Sequence, residues 1–279
     1  MTGFQTFYNF DSLQRFISSF KKKPSLGLVP TMGALHVGHL SLIQTALNEN
    51  DLVVVTIFVN PKQFNNPKDL ENYPRIPEND LSLLRTYKRV VVCMPEENDV
   101  YPIKDPYPRV SLGFLDRVLE GAFRPGHFVG VAHVVHNLIY FIKAQRAYFG
   151  LKDIQQLSVI RHMVRETKLP VNIIACETVR DKSGIALSSR NLLLSKKHYR
   201  DAAIIFKTLN YVRQIIKEEQ AEDVKKKAVK LFNSGSLQLE YLELVNQNSF
   251  EPYETGEKNG VCCIAAYCDG VRLIDNVLL

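Results

Sequence analysis

Short apolar runs alternate with helical patterns along most of the chain. Residues 26–29, 51–59, 90–94, 147–149 and 171–176 are apolar enough to predict strands buried in a parallel sheet. Helical periodicity lies between them, at residues 40–47, 78–87, 129–143 and 153–167. This alternation predicts an α/β fold, in which a Rossmann-like, doubly wound parallel sheet carries helices on both faces.

The pattern changes after about Val179. Two helical stretches, 196–218 and 222–232, precede three strand-like stretches at residues 237–245, 261–268 and 271–278. Asp269-Gly270 lies between the last two stretches and is a typical hairpin turn. We therefore predict two domains, a Rossmann-like domain at 1–178 and a smaller C-terminal α+β domain at 179–279.

Composition narrows the possible partners. The 279 residues are 46% hydrophobic, and no apolar run approaches the roughly 20 residues that a membrane helix needs. The five cysteines include no Cys-x-x-Cys pair, which argues against disulfides or zinc and favours the cytoplasm. The net charge of +6 permits a nucleic-acid partner, but the tight basic runs contain no interleaved aromatic residues. We expect neither nucleic acid nor a membrane as partner.

The segment Pro30–His39 is the strongest functional signal. It runs from a strand through a glycine-bearing loop to a helix start, where free N–H groups and the helix dipole favour phosphate. His36 and His39 are three residues apart and share a helical face, so neutral or charged imidazoles could contact phosphate oxygens. This His-x-Gly-His pattern is typical of nucleotidyltransferases and class I aminoacyl-tRNA synthetases, and it indicates a chemistry rather than a substrate.

Polar residues also follow the later strands, and each set has an alternative interpretation. Asn60 and Gln63 suit a polar organic substrate, although Asn-Pro alone can simply form a turn. Lys152 could contact a phosphate, while the neighbouring Asp153 could serve only as a helix cap. The loop 179–191 holds two hydroxyls beside an arginine, which suits phosphate, but a polar linker would have the same composition.

The helix predicted at 129–143 carries His133 and His136 on one face. No carboxylate companion is evident from the sequence, so we do not expect them to form a metal site. Arg124 precedes this helix and could reach an anion, although exposed arginines are commonly only solvated.

Several segments together resemble the pantoate–β-alanine ligase (pantothenate synthetase) family. They are PTMGALHVGH, FVNPKQF, NYPR, LEGAFRPGH, FGLKDIQQL, ALSSRN and RLIDN, in the family's order from Pro30 to Asn276. The resemblance implies a cytoplasmic homodimer that uses ATP and Mg²⁺, with a nucleotide-binding domain covered by the C-terminal domain as a lid. It also implies a reaction in two steps. Pantoate and ATP form a pantoyl adenylate, and β-alanine then displaces AMP.

The same resemblance implies individual roles. His39 acts as proton donor, and His36, Lys152 and Arg190 act on the phosphates. Asn60, Gln63 and Gln156 hold pantoate, and Gln63 also borders β-alanine. No protein residue is assigned to the metal. The residues expected at ATP are Met32, Gly33, Ala34, Leu35, His36, Val37, Gly38, His39, Gly150, Leu151, Lys152, Asp153, Val179, Leu187, Ser188, Ser189 and Arg190.

The chain departs from the family pattern at a few positions. Lys62 replaces a common methionine or leucine, Leu151 a common glutamate, and His133 and Asn137 a frequent threonine and lysine. Asn79 and Leu83 stand where some members place polar metal-binding groups. None of these changes removes a group assigned to the chemistry. Two other functions stay open, namely another His-x-Gly-His nucleotidyltransferase with a different acceptor, and a basic RNA-binding protein.

Overall fold

The computed structural model describes residues 4–279. Within them, a six-stranded parallel sheet, the first sheet, has the strand order β1-β4-β3-β2-β5-β6. A three-stranded antiparallel sheet, the second sheet, has the order β7-β8-β9 in the same residues. The strands are β1 (Gln5–Phe7), β2 (Leu26–Thr31), β3 (Leu52–Ile57), β4 (Val90–Cys93), β5 (Arg146–Gly150), β6 (Asn172–Cys176), β7 (Gln238–Asn246), β8 (Gly260–Cys268) and β9 (Val271–Leu278).

Helices connect the strands, and short 3₁₀ turns lie at Pro61–Gln63, Gly113–Asp116, Leu151–Asp153 and Ser189–Leu193. The α-helices are α1 (Phe10–Ser18), α2 (Val37–Glu49), α3 (Pro67–Glu71), α4 (Pro77–Leu84), α5 (Glu97–Val100), α6 (Glu120–Phe123), α7 (His127–Ile142), α8 (Ile154–Thr167), α9 (Lys196–Asp201), α10 (Ala203–Ile215) and α11 (Ala221–Phe232). The predicted α/β class, with a parallel sheet and a smaller C-terminal α+β part, is confirmed.

Helices cover both faces of the first sheet. Alternate residues of β3 show this, since Val54 packs with α1, α7 and α8 while Val53 and Val55 pack with α2 and α4. All of β3 is buried, as its apolar sequence predicted. The prediction for β6 was wrong in this respect. β6 is an edge strand whose residues 172–175 are only partly covered, because no strand pairs with its outer side within residues 4–279.

The opposite edge contains two elements that the sequence analysis missed. β1 pairs with β4, and α1 follows it. The signal for α1 was present, because Phe10, Leu13 and Ile17 have helical spacing and are buried. Asn9 caps the helix by accepting a hydrogen bond from the Ser12 N–H.

The second sheet packs one face against α10 and α11 and turns the other toward the first sheet. Tyr241, Val245 and Cys263 on that inner face meet Leu119 and Ile154 of the preceding part of the chain. The predicted hairpin at Asp269-Gly270 is present, with both residues at positive φ. The helix predicted at 196–218 is instead divided into α9 and α10. At Ala202 between them, ψ is −18°, which is closer to 3₁₀ than to α-helical geometry.

The strand order determines where a ligand can bind. From β2 the chain builds outward to β3 and β4, and it later returns to the other side of β2 to form β5. This reversal leaves a crevice outside the carboxyl ends of β2 and β5, which is the usual ligand position in open α/β sheets. The loop that carries His36 and His39 starts at this point.

Candidate active site

A cleft of about 870 Å³ opens at the carboxyl edge of the first sheet and is bordered on its far side by β9. Most residues predicted for the site line it together. They are Met32, His36, Gly38, His39, Asn60, Gln63, Gly150, Lys152, Asp153, Gln156, Val179, Leu187, Ser188, Ser189 and Arg190. Arg124 also lines it.

The structure does not bring every predicted ATP residue to the cleft wall. Those that lie elsewhere are Gly33, Ala34, Leu35, Val37 and Leu151. Ala34 and Leu35 are buried in the protein, whereas Val37 is 62% exposed to solvent on the first turn of α2. Gly33, Ala34 and Leu35 belong to the backbone of the histidine loop, Val37 begins α2, and Leu151 lies in the 3₁₀ turn after β5.

Asp80 of α4 holds this loop in its conformation. Its two carboxylate oxygens accept hydrogen bonds from the backbone N–H groups of Ala34 (2.9 Å) and Leu35 (2.7 Å). Ala34 has a φ of +49°, which a residue with a Cβ rarely adopts without support. Burial raises the pKa of Asp80, and the two N–H groups oppose that rise. Sequence reasoning missed Asp80, because nothing local linked it to a loop 46 residues earlier.

His36 and His39 form a reciprocal cap at the start of α2. The Nδ1 atom of His36 accepts a hydrogen bond from the Gly38 N–H, and Nδ1 of His39 accepts one from the His36 N–H. A side chain at Gly38 would collide with the His36 ring, 2.8 Å away, so the glycine is needed for this cap. Since each Nδ1 is an acceptor, each neutral ring carries its proton on Nε2.

Burial is the main cause that lowers the pKa values of these two histidines, to about 4 for His36 and about 3 for His39. The nearby Lys152 charge lowers both further. Of the two states left open by the sequence, the geometry therefore favours neutral imidazoles near pH 7. Each can donate an Nε2–H hydrogen bond to an oxygen in the cleft without carrying a full charge.

Asn60 and Gln63 form a buried amide pair at the 3₁₀ turn after β3. Asn60 Nδ2 donates to Gln63 Oε1 (3.1 Å) and to the carbonyl of Gly130 (3.1 Å). With Gln63 Oε1 occupied, its Nε2 group donates to the Met32 sulfur (3.1 Å), a weak acceptor that also lines the cleft, and its second N–H remains for a ligand. The amide pair thus presents an N–H donor, which suits a carboxylate or hydroxyl oxygen of a ligand.

His127 fixes the backbone of the same turn. Its Nδ1–H donates to the Gln63 carbonyl (2.8 Å), and its Nε2 accepts from Arg124 (3.0 Å). Burial, followed by the Arg124 charge, lowers the pKa of His127 to about 3. His127 is therefore a neutral structural histidine that joins α7 to the turn.

The segment 150–156 lies at the opposite wall of the cleft. Lys152 Nζ is 3.4 Å from a carboxylate oxygen of Asp153, and Gln156 faces the cleft one turn into α8. Asn276 of β9 holds this segment, because its Nδ2 donates to the carbonyls of Leu151 (2.9 Å) and Lys152 (2.8 Å). The C-terminal RLIDN segment therefore contacts the candidate site through Asn276.

The residues after Val179 fold back over the histidine loop. Ser189 donates its hydroxyl proton to the Ala34 carbonyl (3.0 Å), and Ser188 caps the 3₁₀ turn by accepting from the Arg190 N–H. Arg190 forms a two-point ion pair with Asp69 of α3, with Nη2 2.9 Å from Oδ2. Arg190 is thus oriented by a carboxylate that the sequence analysis did not identify.

A buried charge cluster joins the second sheet to helix α6 beside the cleft. Arg272 of β9 donates to both oxygens of Glu120 at 2.7 Å and also pairs with Glu240. Burial acts to raise the pKa of Glu120, but the hydrogen bonds and charge of Arg272 outweigh it and lower that pKa to about 2. Tyr241 also donates to Glu120 (2.7 Å). The cluster is ionic and fully paired near pH 7.

The expectation that His133 has no carboxylate companion was wrong. Its Nε2 lies 2.5 Å from Oδ2 of Asp105, a residue that the fold brings close from a loop 28 positions earlier. His136 instead contacts Asn137. Within residues 4–279, no group of three or more His, Cys, Asp or Glu side chains could hold a metal ion, so the pair forms part of no metal cluster.

The fold and the cleft define an α/β protein with a nucleotide-type His-x-Gly-His loop at the reversal point of its sheet. Comparison with known proteins specifies the family. The profile of the pantoate-beta-alanine ligase family matches residues 5–278. A pantothenate synthetase of Cytophaga hutchinsonii is 45% identical over 267 residues, 93% of each chain. One from Porphyromonas gingivalis is 44% identical over 271 residues, 95% of this chain and 96% of the relative.

Solved structures agree. A pantothenate synthetase from Thermus thermophilus superposes with a TM-score of 0.91 at 35% identity, covering 98% of both chains. The pantoate-beta-alanine ligase of Francisella tularensis was solved with beta-gamma ATP and beta-alanine. It superposes with a TM-score of 0.82 at 35% identity, covering 99% of this chain and 98% of that one. The chain belongs to the pantoate-beta-alanine ligase family, as its motifs predicted.

Proposed function

We propose that this protein joins pantoate to β-alanine at the expense of ATP, releasing AMP and pyrophosphate. The observation that carries this proposal is the juxtaposition in one cleft of the His36–His39 loop with the Asn60–Gln63 amide pair. The first suits a nucleotide phosphate, and the second suits a small polar acid. Family membership supports the same reaction.

In the first step, a carboxylate oxygen of pantoate attacks the α-phosphorus of ATP, and pyrophosphate leaves. The product is pantoyl adenylate, whose acyl carbon now bears a good leaving group. In the second step, the β-alanine amine attacks that carbon, loses a proton, and AMP departs. No protein nucleophile is needed, so the residues act by orienting the reactants and stabilising charge.

The phosphate chemistry falls to four side chains. His36 and His39 donate Nε2–H hydrogen bonds to phosphate oxygens where negative charge develops, and as neutral rings they do so without giving up a proton. Lys152 supplies a positive charge beside the two histidines. Arg190 neutralises phosphate charge while Asp69 keeps its guanidinium oriented.

The substrate acid is held from the other end of the cleft. Gln63 donates through Nε2, Asn60 keeps Gln63 in that orientation, and Gln156 contributes a second amide from α8. We also propose that residues 179–279 form a domain that covers ATP bound to 1–178. The hydrogen bonds of Ser189 to Ala34 and of Asn276 to Lys152 support this arrangement.

Mg²⁺ enters this scheme as part of the ATP substrate. The carboxylates that line the cleft near the phosphate-binding residues, Asp69 and Asp153, already pair with Arg190 and Lys152. This donor set fits an ion held mainly by phosphate oxygens and water, which is the usual mode for Mg²⁺ with nucleotides. We further propose that the protein is cytoplasmic and that it forms a homodimer. Sedimentation of the purified protein would test the homodimer. Exposed apolar residues such as Val129 and Tyr140 of α7 support an interface between subunits.

The decisive experiment incubates the protein with ATP, Mg²⁺, pantoate and β-alanine and detects pantothenate and AMP by mass spectrometry. Omitting β-alanine should leave exchange of labelled pyrophosphate into ATP that depends on pantoate, because the first step is reversible. Exchange that requires β-alanine would contradict the adenylate route. Exchange with other carboxylates but not with pantoate would favour a different acceptor for the same nucleotide chemistry.

A further inference from the structure

A tyrosine outside the cleft lining contacts the amide pair from behind. The hydroxyl of Tyr101, just after α5, lies 2.6 Å from Oδ1 of Asn60. An amide oxygen has no proton to give, so the phenol must be the donor. Burial, reinforced by the charges of Glu97 and Asp105, raises the pKa of Tyr101. The phenol therefore keeps its proton throughout the neutral range.

The backbone fixes which way the Asn60 amide points. The Lys62 N–H donates to its Oδ1 (3.2 Å), and the Gly130 carbonyl accepts from its Nδ2 (3.1 Å). Neither backbone group can exchange donor and acceptor roles. Asn60 is 1% exposed, so losing one of its partners would leave a buried polar atom less satisfied.

The hydrogen bonds form a directed series that ends in the cleft. Tyr101 donates to Asn60, Asn60 donates to Gln63 Oε1, and the Nε2 group of Gln63, beside the Met32 sulfur, is left as the donor at the cleft. A reversed Gln63 would present an oxygen and repel a carboxylate. The orientation of the ligand-facing donor thus depends on groups behind it.

The Tyr101 ring is held in place on two sides. Lys62 Nζ lies 3.5 Å from the ring centroid, which is cation–π geometry. The His133 ring packs against it edge-on, with centroids 4.6 Å apart, and His133 is itself anchored by Asp105. Two positions at which this chain departs from the family pattern, 62 and 133, therefore flank one tyrosine.

We propose that Tyr101 is a positioning residue for the acid substrate, acting through Asn60 to keep the Gln63 donor turned toward the ligand. This inference rests on the proposed function for the identity of the acid. It assigns no contact between Tyr101 and substrate. The expected effect of Tyr101 is confined to the Asn60–Gln63 side of the cleft, which holds the acid. It does not extend to the side that holds ATP, where Lys152 and the two histidines lie.

The test compares Tyr101→Phe with Tyr107→Phe in the full-length protein. Tyr107 stacks on His133 in the same aromatic group, but its hydroxyl makes no contact with Asn60. Tyr101→Phe should raise KM for pantoate about threefold to tenfold, the effect of one hydrogen bond, and leave KM for ATP unchanged. Tyr107→Phe should change neither constant.

Coupling separates positioning from general support. In an Asn60→Ala background, Tyr101→Phe should have no further effect on KM for pantoate, because the group through which it acts is gone. Lys62→Met keeps the hydroxyl and should change KM for pantoate less than twofold. Equal rises in KM for pantoate and ATP, or full additivity with Asn60→Ala, would overturn the inference.

A measurement without substrate keeps the inference testable if the wild-type protein makes no pantothenate, an outcome that would overturn the proposed function alone. Nitrogen-15 relaxation of the Gln63 side-chain amide should show greater motion in Tyr101→Phe than in the wild type, and no change in Tyr107→Phe. An equally rigid Gln63 amide in all three proteins would contradict the positioning role.

Discussion

At the residue scale, the proposed chemistry depends on imidazole N–H groups that are oriented before any ligand arrives. Nδ1 of His39 is committed to the His36 backbone, so only Nε2–H is free to donate. A donor fixed in this way loses little entropy when charge develops on a phosphate, which is why such contacts contribute strongly to rate.

We therefore expect His39→Ala to reduce turnover by about 10²–10³-fold while the protein remains folded. Turnover would be measured by AMP release, and folding by circular dichroism. His162→Ala is the matched control, because His162 is a partly exposed histidine on α8 whose partners, Ser111 and Arg165, lie outside the cleft. Turnover near that of the control would remove His39 from the mechanism.

The buried neutral His127 makes stability depend on pH. Its pKa is about 3 in the folded protein and near 6.5 when unfolded, so the unfolded chain binds more protons between these values. The free energy of unfolding should therefore fall as pH decreases from about 6.5 toward 3, with a slope of about 1.4 kcal/mol per pH unit from this histidine.

Urea unfolding at pH 7, 6 and 5 would measure that slope. His127→Asn keeps a donor for the Gln63 carbonyl but cannot take up a proton, so its decline with acidification should be shallower. His36 and His39 also have lowered pKa values and contribute in the same direction. If the free energies of unfolding of His127→Asn and the wild type fell in parallel with pH, His127 would not be the source of this pH dependence.

At the element scale, the proposed acid-binding wall depends on the packing of α7 against the backbone of the turn 61–63. A Cβ at Gly130 would lie 2.2 Å from the Lys62 carbonyl oxygen, so only glycine permits this approach. The same glycine carbonyl accepts from Asn60. The packing of α7 and the orientation of the Asn60 amide therefore both depend on Gly130.

Gly130→Ala should consequently raise KM for pantoate by at least tenfold and lower stability by roughly 1–3 kcal/mol, the usual cost of overpacking. Steady-state kinetics and urea unfolding would measure both quantities. Glu166→Ala is the control, because Glu166 is exposed on the neighbouring helix α8 and lies outside the cleft. Unchanged pantoate kinetics in Gly130→Ala would show that the turn tolerates displacement.

At the scale of the whole molecule, the second sheet is joined to the preceding part of the chain through buried ionic contacts with α6 as well as apolar packing. Arg272 bridges Glu120, from the helix α6 that precedes α7, and Glu240, from β7. Removing one partner of such a cluster leaves buried charge uncompensated, whereas losing an exposed pair has little effect.

Arg272→Met should therefore lower the free energy of unfolding by about 3–5 kcal/mol. Lys227→Met, which breaks the more exposed pair with Glu219, should lower it by about 0–1 kcal/mol. Urea unfolding of both variants would test this difference. Similar losses in the two would mean that apolar packing alone holds the sheets together.

The class of fold and most of the residues that line the cleft were predictable from the amino-acid sequence alone. Residues such as Val53–Val55 are apolar on both faces of a strand, and only a parallel sheet covered on both sides buries them. The loops after these strands must lie at one edge, so His36, Asn60 and Lys152 were predictable as neighbours from chain order alone. Motif order likewise identified the family.

The residues that orient the site side chains could be identified only from the folded structure. Asp80 on Ala34, Asp69 on Arg190, Asp105 on His133 and Tyr101 on Asn60 are all contacts between distant segments. Local periodicity contains no information about such pairs, because hydrogen bonds form between atoms that the fold brings within about 3 Å, whatever their separation in sequence. The neutral state of the histidines was also decided there, since burial and neighbouring charge depend on the assembled fold.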